Sequence, residues 1–194
     1  SERIHYAADV SLDWWSSAVI NENNELYLWG QLGDGLEPLF VEDNVRKVSM
    51  GGEFGGFITK DDELYMFGPY NFYGQIGDGT TTGKDVPVKI MDNIKDVALG
   101  YHHSAAITNN NELYLWGYNK HGQIGDGTTT NRKTPVRVMD DVAQVSLGGN
   151  ISGAVTTNGD LYMWGVNDKG QIGDGTTTNR YVPTKIMSGV KKVI

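Results

Sequence analysis

The stretch "VALGYHHSAAITNNNELYLWGYNKHGQIGDGTTTNRKTPVRV", residues 97–138, decides the fold. "VALG" (97–100) is a short apolar run, "SAAIT" (104–108) a small-residue run, and "ELYLWG" (112–117) alternates large apolar with other side chains, so all three read as strands. "TPVRVM" (134–139) supplies a fourth, whose proline suits a strand start or edge. Between the second and third strands stand Asn109–Asn111, and the equivalent place further on holds Asn158–Gly159, a strong hairpin-turn signal. The stretch predicts a four-stranded antiparallel meander.

Working outward, residues 74–121 match residues 122–169 at 25 of 48 positions, and "GQIGDGTTT" recurs unchanged at 74–82, 122–130 and 170–178. The phase is carried by Val10, Val48, Val97, Val145 and Val193, giving steps of 38, 49, 48 and 48 residues. The chain is therefore one repeat array over 1–194, with units of approximately 10–47, 48–96, 97–144 and 145–192. The first unit is short because "WGQLGDGLEP" (29–38) lacks both the "YNxxG" insert and the "TTTxx" stretch. Four-stranded repeats of this length are expected to be β-propeller blades, in an all-β fold where neighbouring sheets cover each other's faces. Ala105, Ala106, Gly56, Gly153 and Ala154 on strand two would allow close packing near the axis, while Leu113 and Leu115 and their equivalents fill the space between blades. Trp29, Phe67, Trp116 and Trp164 recur at one phase before glycine and are read as structural, as are Gly74, Gly122 and Gly170.

These residues resemble the regulator of chromosome condensation repeat in its bacterial-type propeller form. The resemblance rests on a Gly-x-x-His-(Ser/Thr) turn, a Trp-Gly pair, Asn-x-x-Gly-Gln-(Leu/Ile)-Gly and a proline opening the last strand. It implies a seven-bladed type of ring, of which four units are a fragment, a partial ring completed by another chain, or an unusual four-unit closure. It also implies that His103 is a structural turn residue, although only unit three carries both Gly100 and His103. Asp13 and Ser16, Gly51 and Phe54, and Gly148 and Ile151 stand there in the other units. Family functions include nucleotide exchange on chromatin, ultraviolet sensing and β-lactamase inhibition, and no matched functional residue carries any of them over.

A formal net charge of −8 opposes a sequence-independent grip on phosphate backbones, so nucleic acid is not expected as a partner. Without cysteine there is no disulfide, thiolate metal site or cysteine nucleophile. No apolar run is long enough for a membrane helix, and "SERIHYAADV" lacks the charged start and apolar core of a signal peptide. A chain that opens without methionine reads as a mature or excised piece. Location stays open, with an extracellular or cell-surface bacterial setting ranked ahead of the cytoplasm.

The triplicated glycine stretch is not a phosphate loop, because "GTTTGKD" (79–85) has the wrong spacing and the other copies lose Gly-Lys. Each copy also offers one acid, Asp78, Asp126 or Asp174, too few for calcium; these read as turn residues accepting backbone amides. His102, His103 and His121 do not make a metal site, since adjacent strand residues point to opposite faces. No nucleophile elbow or carboxylate pair stands out. The expectation is a non-enzymatic chain with no cofactor and no metal.

Antiparallel strands reverse direction, so the strand 1–2 and 3–4 connections of every unit share one face. On it Trp14, Trp15, Phe54, Tyr70, Phe72, Tyr73, Tyr101, His102 and Asn150 vary between units while the frame stays constant, which is the pattern of a protein-binding surface. The reading is a scaffold that binds another protein there. The alternatives are a self-assembling propeller segment, possible as a homo-oligomer, and a carbohydrate-binding or nucleotide-exchange role.

Overall fold

A computed structural model describes residues 7–33 and 35–193. Among these residues, sixteen strands form four separate four-stranded antiparallel sheets, each a meander in chain order. The first holds β1 (Ala7–Leu12), β2 (Ser16–Asn21), β3 (Leu26–Gly30) and β4 (Gly35–Glu42). The second holds β5 (Val45–Met50), β6 (Gly55–Thr59), β7 (Leu64–Gly68) and β8 (Lys84–Met91). The third holds β9 (Ile94–Leu99), β10 (His103–Thr108), β11 (Leu113–Gly117) and β12 (Arg132–Met139). The fourth holds β13 (Val142–Leu147), β14 (Ile151–Thr156), β15 (Leu161–Gly165) and β16 (Arg180–Met187). Each sheet begins three residues before its phase-marking valine.

Neighbouring sheets stack face to face, which is why β6 and β10 are buried along their whole length. One core, between sheets one and two, packs Ile20 and Leu28 against Val48 and Phe57. The next packs Ile58, Leu64 and Met66 against Val97, Ala106 and Trp116, and the third packs Ile107, Leu113 and Leu115 against Val142, Ala154 and Trp164. These three interfaces join four blades into an arc of a propeller. The inner strands β1, β5, β9 and β13 line its concave side.

The face carrying the 2–3 turns is closed by main-chain bonds between blades. Asn24, Asp62 and Asn111 sit in the left-handed region, and their carbonyls accept from the amides of Val45, Ile94 and Val142 in the following blade. Arg46, the unpaired residue of the bulge in β5, donates to the carbonyls of Ile94 and Lys95 from the same face.

On the opposite face, "GQIGDGTTT" is the clasp between blades. Its first glycine turns the chain at φ 81°, 79° and 74° in Gly74, Gly122 and Gly170. The Gln75 carbonyl accepts the Trp116 Nε1–H at 2.8 Å and the Ser104 hydroxyl at 2.7 Å. The Gln123 carbonyl accepts Trp164 at 2.9 Å and Ser152 at 2.7 Å. A side chain on Gly77 or Gly125 would place its Cβ 2.6 Å from the indole nitrogen it faces. Trp116 and Trp164 are thus structural, and each reads the loop of the blade before it. Sheet one has the short connection in place of this loop, and sheet two answers with Phe67 and Gly55 where the others have tryptophan and serine.

The aspartate of the stretch is a turn residue. Asp78, Asp126 and Asp174 each accept the amide two residues on at 3.0 Å. The Thr176 hydroxyl leads in holding the Asp174 carboxyl down to about 2, with Arg180 adding to it against the opposing effect of burial. A buried asparagine in the preceding segment holds the loop from inside. Asn119 Nδ2 donates to the carbonyls of Thr128 and Thr130 at 3.1 and 3.0 Å, and its Oδ1 accepts from the Ile124 amide at 2.9 Å. Asn71 and Asn167 make the same three bonds in their own blades.

Candidate partner-binding face

Every strand 1–2 connection is the same four-residue turn. The amides of Asp13, Gly51, Gly100 and Gly148 donate to the carbonyls of Ser16, Phe54, His103 and Ile151 at 2.9–3.0 Å. In the first turn the Asp13 carboxylate also accepts the amides of Trp15 and Ser16 at 2.6 Å. Such a turn pushes its two central residues outward and points the fourth into the interface between blades. Trp14 is accordingly 82% exposed, and Trp15, Phe72, Tyr101 and Asn150 are exposed as well.

Phe54 corrects the sequence expectation, because it is 0% exposed and belongs to the core between sheets two and three. It is the fourth turn residue, the counterpart of His103, and its ring fills the space that His103 fills one blade later. It cannot anchor a partner.

The outward residues form a continuous run of rings across three blades. Trp14 lies 6.1 Å from Tyr101, Tyr101 is 4.3 Å from His102, and His102 is 5.0 Å from Tyr73. Tyr73 is in turn 4.6 Å from Tyr118, which stands 6.1 Å from His121. Tyr101 reaches its place by lying over Gly52, where a Cβ would come within 2.5 Å of the Tyr101 carbonyl. Tyr70 and Phe72 pair with each other at 5.8 Å, apart from this run. Asn150 is tied by its Oδ1 to Gln123 Nε2 at 3.0 Å, at the polar end of the face. Tyr118 links Tyr73 to His121 within the run.

Beside the run opens a cavity of about 570 Å³ at the mouth of the concave side. All four blades contribute to it, through Leu12, Met50, Leu99 and Leu147 at the ends of the inner strands. Trp14, Trp15, Glu53 and Tyr101 form its rim. Among the described residues no group of His, Asp and Glu is placed to hold a metal ion.

Beneath the face, His103 is fully buried and its Nε2 lies 3.0 Å from the Ser152 oxygen. Ser152 already donates its proton to the Gln123 carbonyl, so His103 must be the Nε2–H tautomer, with Nδ1 unprotonated and without a partner. Burial first, and the neighbouring His102 second, push the His103 pKa down to about 3. Burial lowers His102 too, against an opposing pull from Glu53. The unfolded chain binds the His103 proton below about 6.5, whereas the folded chain binds it only near 3. Stability is therefore complete above about pH 6.5 and falls by up to about 1.4 kcal/mol per unit as the pH drops through that window. Urea melts between pH 7.5 and 5 will show this slope in the natural chain. The slope will shrink in His103→Ile, which copies the residue at 151, and an unchanged slope would refute the assignment.

The sequence profile of the regulator of chromosome condensation (RCC1) repeat matches residues 61–107, 110–155 and 158–194, and a second profile of the same repeat matches 94–123 and 142–171. The serine/threonine-protein kinase Nek9 of Xenopus laevis is 35% identical over 88 residues, covering 36% of this chain and 9% of that one. Among solved structures, Prp20p from Saccharomyces cerevisiae, a protein with binding properties toward Gsp1p and histones, superposes with a TM-score of 0.82 at 22% identity. That superposition covers 97% of this chain and 52% of the yeast protein. Yeast RCC1 (Prp20) bound to Kap60 gives 0.84 at 20% identity over 97% and 50%, and human WBSCR16 gives 0.82 at 19% over 96% and 54%. The chain spans about half the length of these structures and a small part of the kinase. With more than half of its residues matched by the repeat, in segments that span sheets three and four and all three clasp loops, the chain belongs to the regulator of chromosome condensation (RCC1) repeat family.

Proposed function

We propose that the chain is a non-enzymatic scaffold that binds another protein on the face built by the strand 1–2 and 3–4 connections. The observation that carries this reading is the run of rings from Trp14 through Tyr101, His102, Tyr73 and Tyr118 to His121, laid along a concavity to which every blade contributes. Rigid, half-exposed aromatics at the edge of a cavity are the anchors on which most interface energy concentrates. On the opposite face, backbone amides and carbonyls are committed between blades, at Asn24 with Val45, Asp62 with Ile94 and Asn111 with Val142. Solved relatives of the fold bind proteins, Prp20p with Gsp1p and histones, and yeast RCC1 with Kap60. The formal charge of −8, with Glu53 on the rim beside Trp14 and Tyr101, suits a partner that presents arginine or lysine to the rings.

Trp14→Ala with Tyr101→Ala tests the reading. Both side chains are exposed, so the melting temperature will stay close to that of the natural chain. A bound protein will lose at least about 2 kcal/mol, roughly thirtyfold in affinity. Affinity capture with the natural and substituted chains side by side checks it; retention of the same proteins with equal strength would overturn the proposal.

A further inference from the structure

Given the partner-binding face proposed above, on which this rests, we propose that the mouth of the concave side seats one arginine side chain of the partner, with Glu53 as its counter-charge and Tyr101 as the ring against which it lies. The cavity there is lined by the carboxylates of Asp13 and Glu53 and, among the described residues, by no lysine, arginine or histidine. Oδ2 of Asp13 is buried without a hydrogen-bond partner, and the Glu53 carboxylate makes no hydrogen bond or ion pair among the described residues. Two carboxylates and no basic group in an apolar concavity draw in a cation. Glu53 and Tyr101 belong to blades two and three, each of which has a blade packed on both sides, so what they expose is set by their neighbours in the fold.

The backbone places Glu53 there by a departure from the other turns. In blades one, three and four the third turn residue offers its carbonyl to the amide after the Trp-Gly pair, Trp15 to Gln31, His102 to Tyr118 and Asn150 to Val166, at 2.9–3.0 Å. Blade two has Pro69 at that position, which has no N–H to give. Without that bond Glu53 turns into the left-handed region at φ 65°, where Trp15, His102 and Asn150 do not go. The other non-glycine residues with positive φ among the described ones are all asparagine or aspartate, whose short side chains tolerate it. Glutamate tolerates it less well, and a strained residue on the rim of a cavity points to a role for its side chain. In this conformation Glu53 lines the cavity, whereas His102 and Asn150, its counterparts in blades three and four, do not.

The rings select among cations. Tyr101, which lies over Gly52, is 49% exposed and meets Trp14 at 6.1 Å with a tilt of 48°. Rings in contact in this way leave no slot between them to enclose a methylated ammonium. A planar guanidinium instead lies flat against one ring and presents its edge to a carboxylate, which accepts two of its N–H groups. Lysine would bring a point charge without that plane.

An NMR titration with the peptide acetyl-Gly-Arg-Gly-amide at pH 7.5 tests this. At that pH His102 is neutral, because burial holds it below its ordinary value despite Glu53, and it leaves the carboxylate free to pair. The expected result is movement of the Glu53 and Tyr101 amide signals. Affinity will be at least about tenfold lower for the citrulline peptide, which keeps the shape without the charge, and for Glu53→Gln. Glu53→Gly supplies the residue that a left-handed turn prefers; it will melt no lower than the natural chain and bind as weakly as Glu53→Gln. Equal binding of the citrulline peptide, tighter binding of a trimethyllysine peptide, or a titration unmoved by Glu53→Gln would overturn the seat. Affinity capture separates its failure from that of the face. Proteins retained at full strength by Glu53→Gln but lost by Trp14→Ala with Tyr101→Ala overturn the seat alone, whereas proteins retained by both overturn the face as well.

Discussion

Trp116→Ala is expected to lower the unfolding free energy by about 3–5 kcal/mol, a large fraction of what a chain of this size possesses. The indole is 0% exposed and fills the interface between sheets two and three together with Phe54, Ile76 and Met66. Truncation opens a cavity there and also strips the Gln75 carbonyl of one of its two donors, leaving Ser104 alone. Trp116→Phe divides the two effects. It keeps most of the ring volume and removes the N–H, and its cost should be about 1–2 kcal/mol. Urea unfolding of both variants decides the matter. If the alanine variant lost less than about 1 kcal/mol, the clasp would not be what holds these blades together.

Asn119→Ala will have an effect of similar size from a smaller side chain, about 3 kcal/mol or more. Its carboxamide meets the carbonyls of Thr128 and Thr130 and the amide of Ile124, all within one loop that packs Ile124 into the next interface. Alanine leaves these groups without partners in a place that water does not reach, at about 1–3 kcal/mol for each unsatisfied group before the loop relaxes. Asn119→Asp is the informative companion. A carboxylate still accepts from Ile124 but turns a negative oxygen toward two carbonyls, so it should do no better than alanine although it has the volume of asparagine. Hydrogen exchange gives the local readout, with protection of the Ile124 amide lost in the alanine variant. An aspartate variant as stable as the natural chain would show that the two bonds donated by the Asn119 Nδ2 contribute nothing.

The meander was legible because its signals are local. Alternation in "ELYLWG", the hairpin asparagines and the proline at each outer strand depend only on residues that are neighbours in the chain. Asn119 was not, because a buried asparagine that organises a loop has the same letter as a solvated one, and "PYNFY", "YNKH" and "VNDK" draw attention to what differs around it. Phe54 was misplaced for a related reason. An aromatic residue on a turn faces solvent or core according to which of four positions it holds, and the alignment of Phe54 with His103 already indicated the inward one. The face itself was readable as a set of loops, since strand reversal fixes which connections lie together. That Trp14 meets Tyr101, two blades away, depends on the curvature of the arc, and no spacing within one repeat encodes it.

The uneven distribution of clasps gives the array a direction of failure. A solenoid-like chain behaves as a row of coupled units whose stability is a sum of intrinsic and nearest-neighbour contributions. Here the couplings between units two and three and between three and four each include an indole, a hydroxyl and a buried loop isoleucine, while the coupling between units one and two has a phenylalanine and a short connection instead. The interface between units one and two is therefore the weakest of the three, and the array is expected to part there first. Since unit one carries Trp14 and unit three carries Tyr101, parting there would break the aromatic run at that contact and leave units two to four clasped.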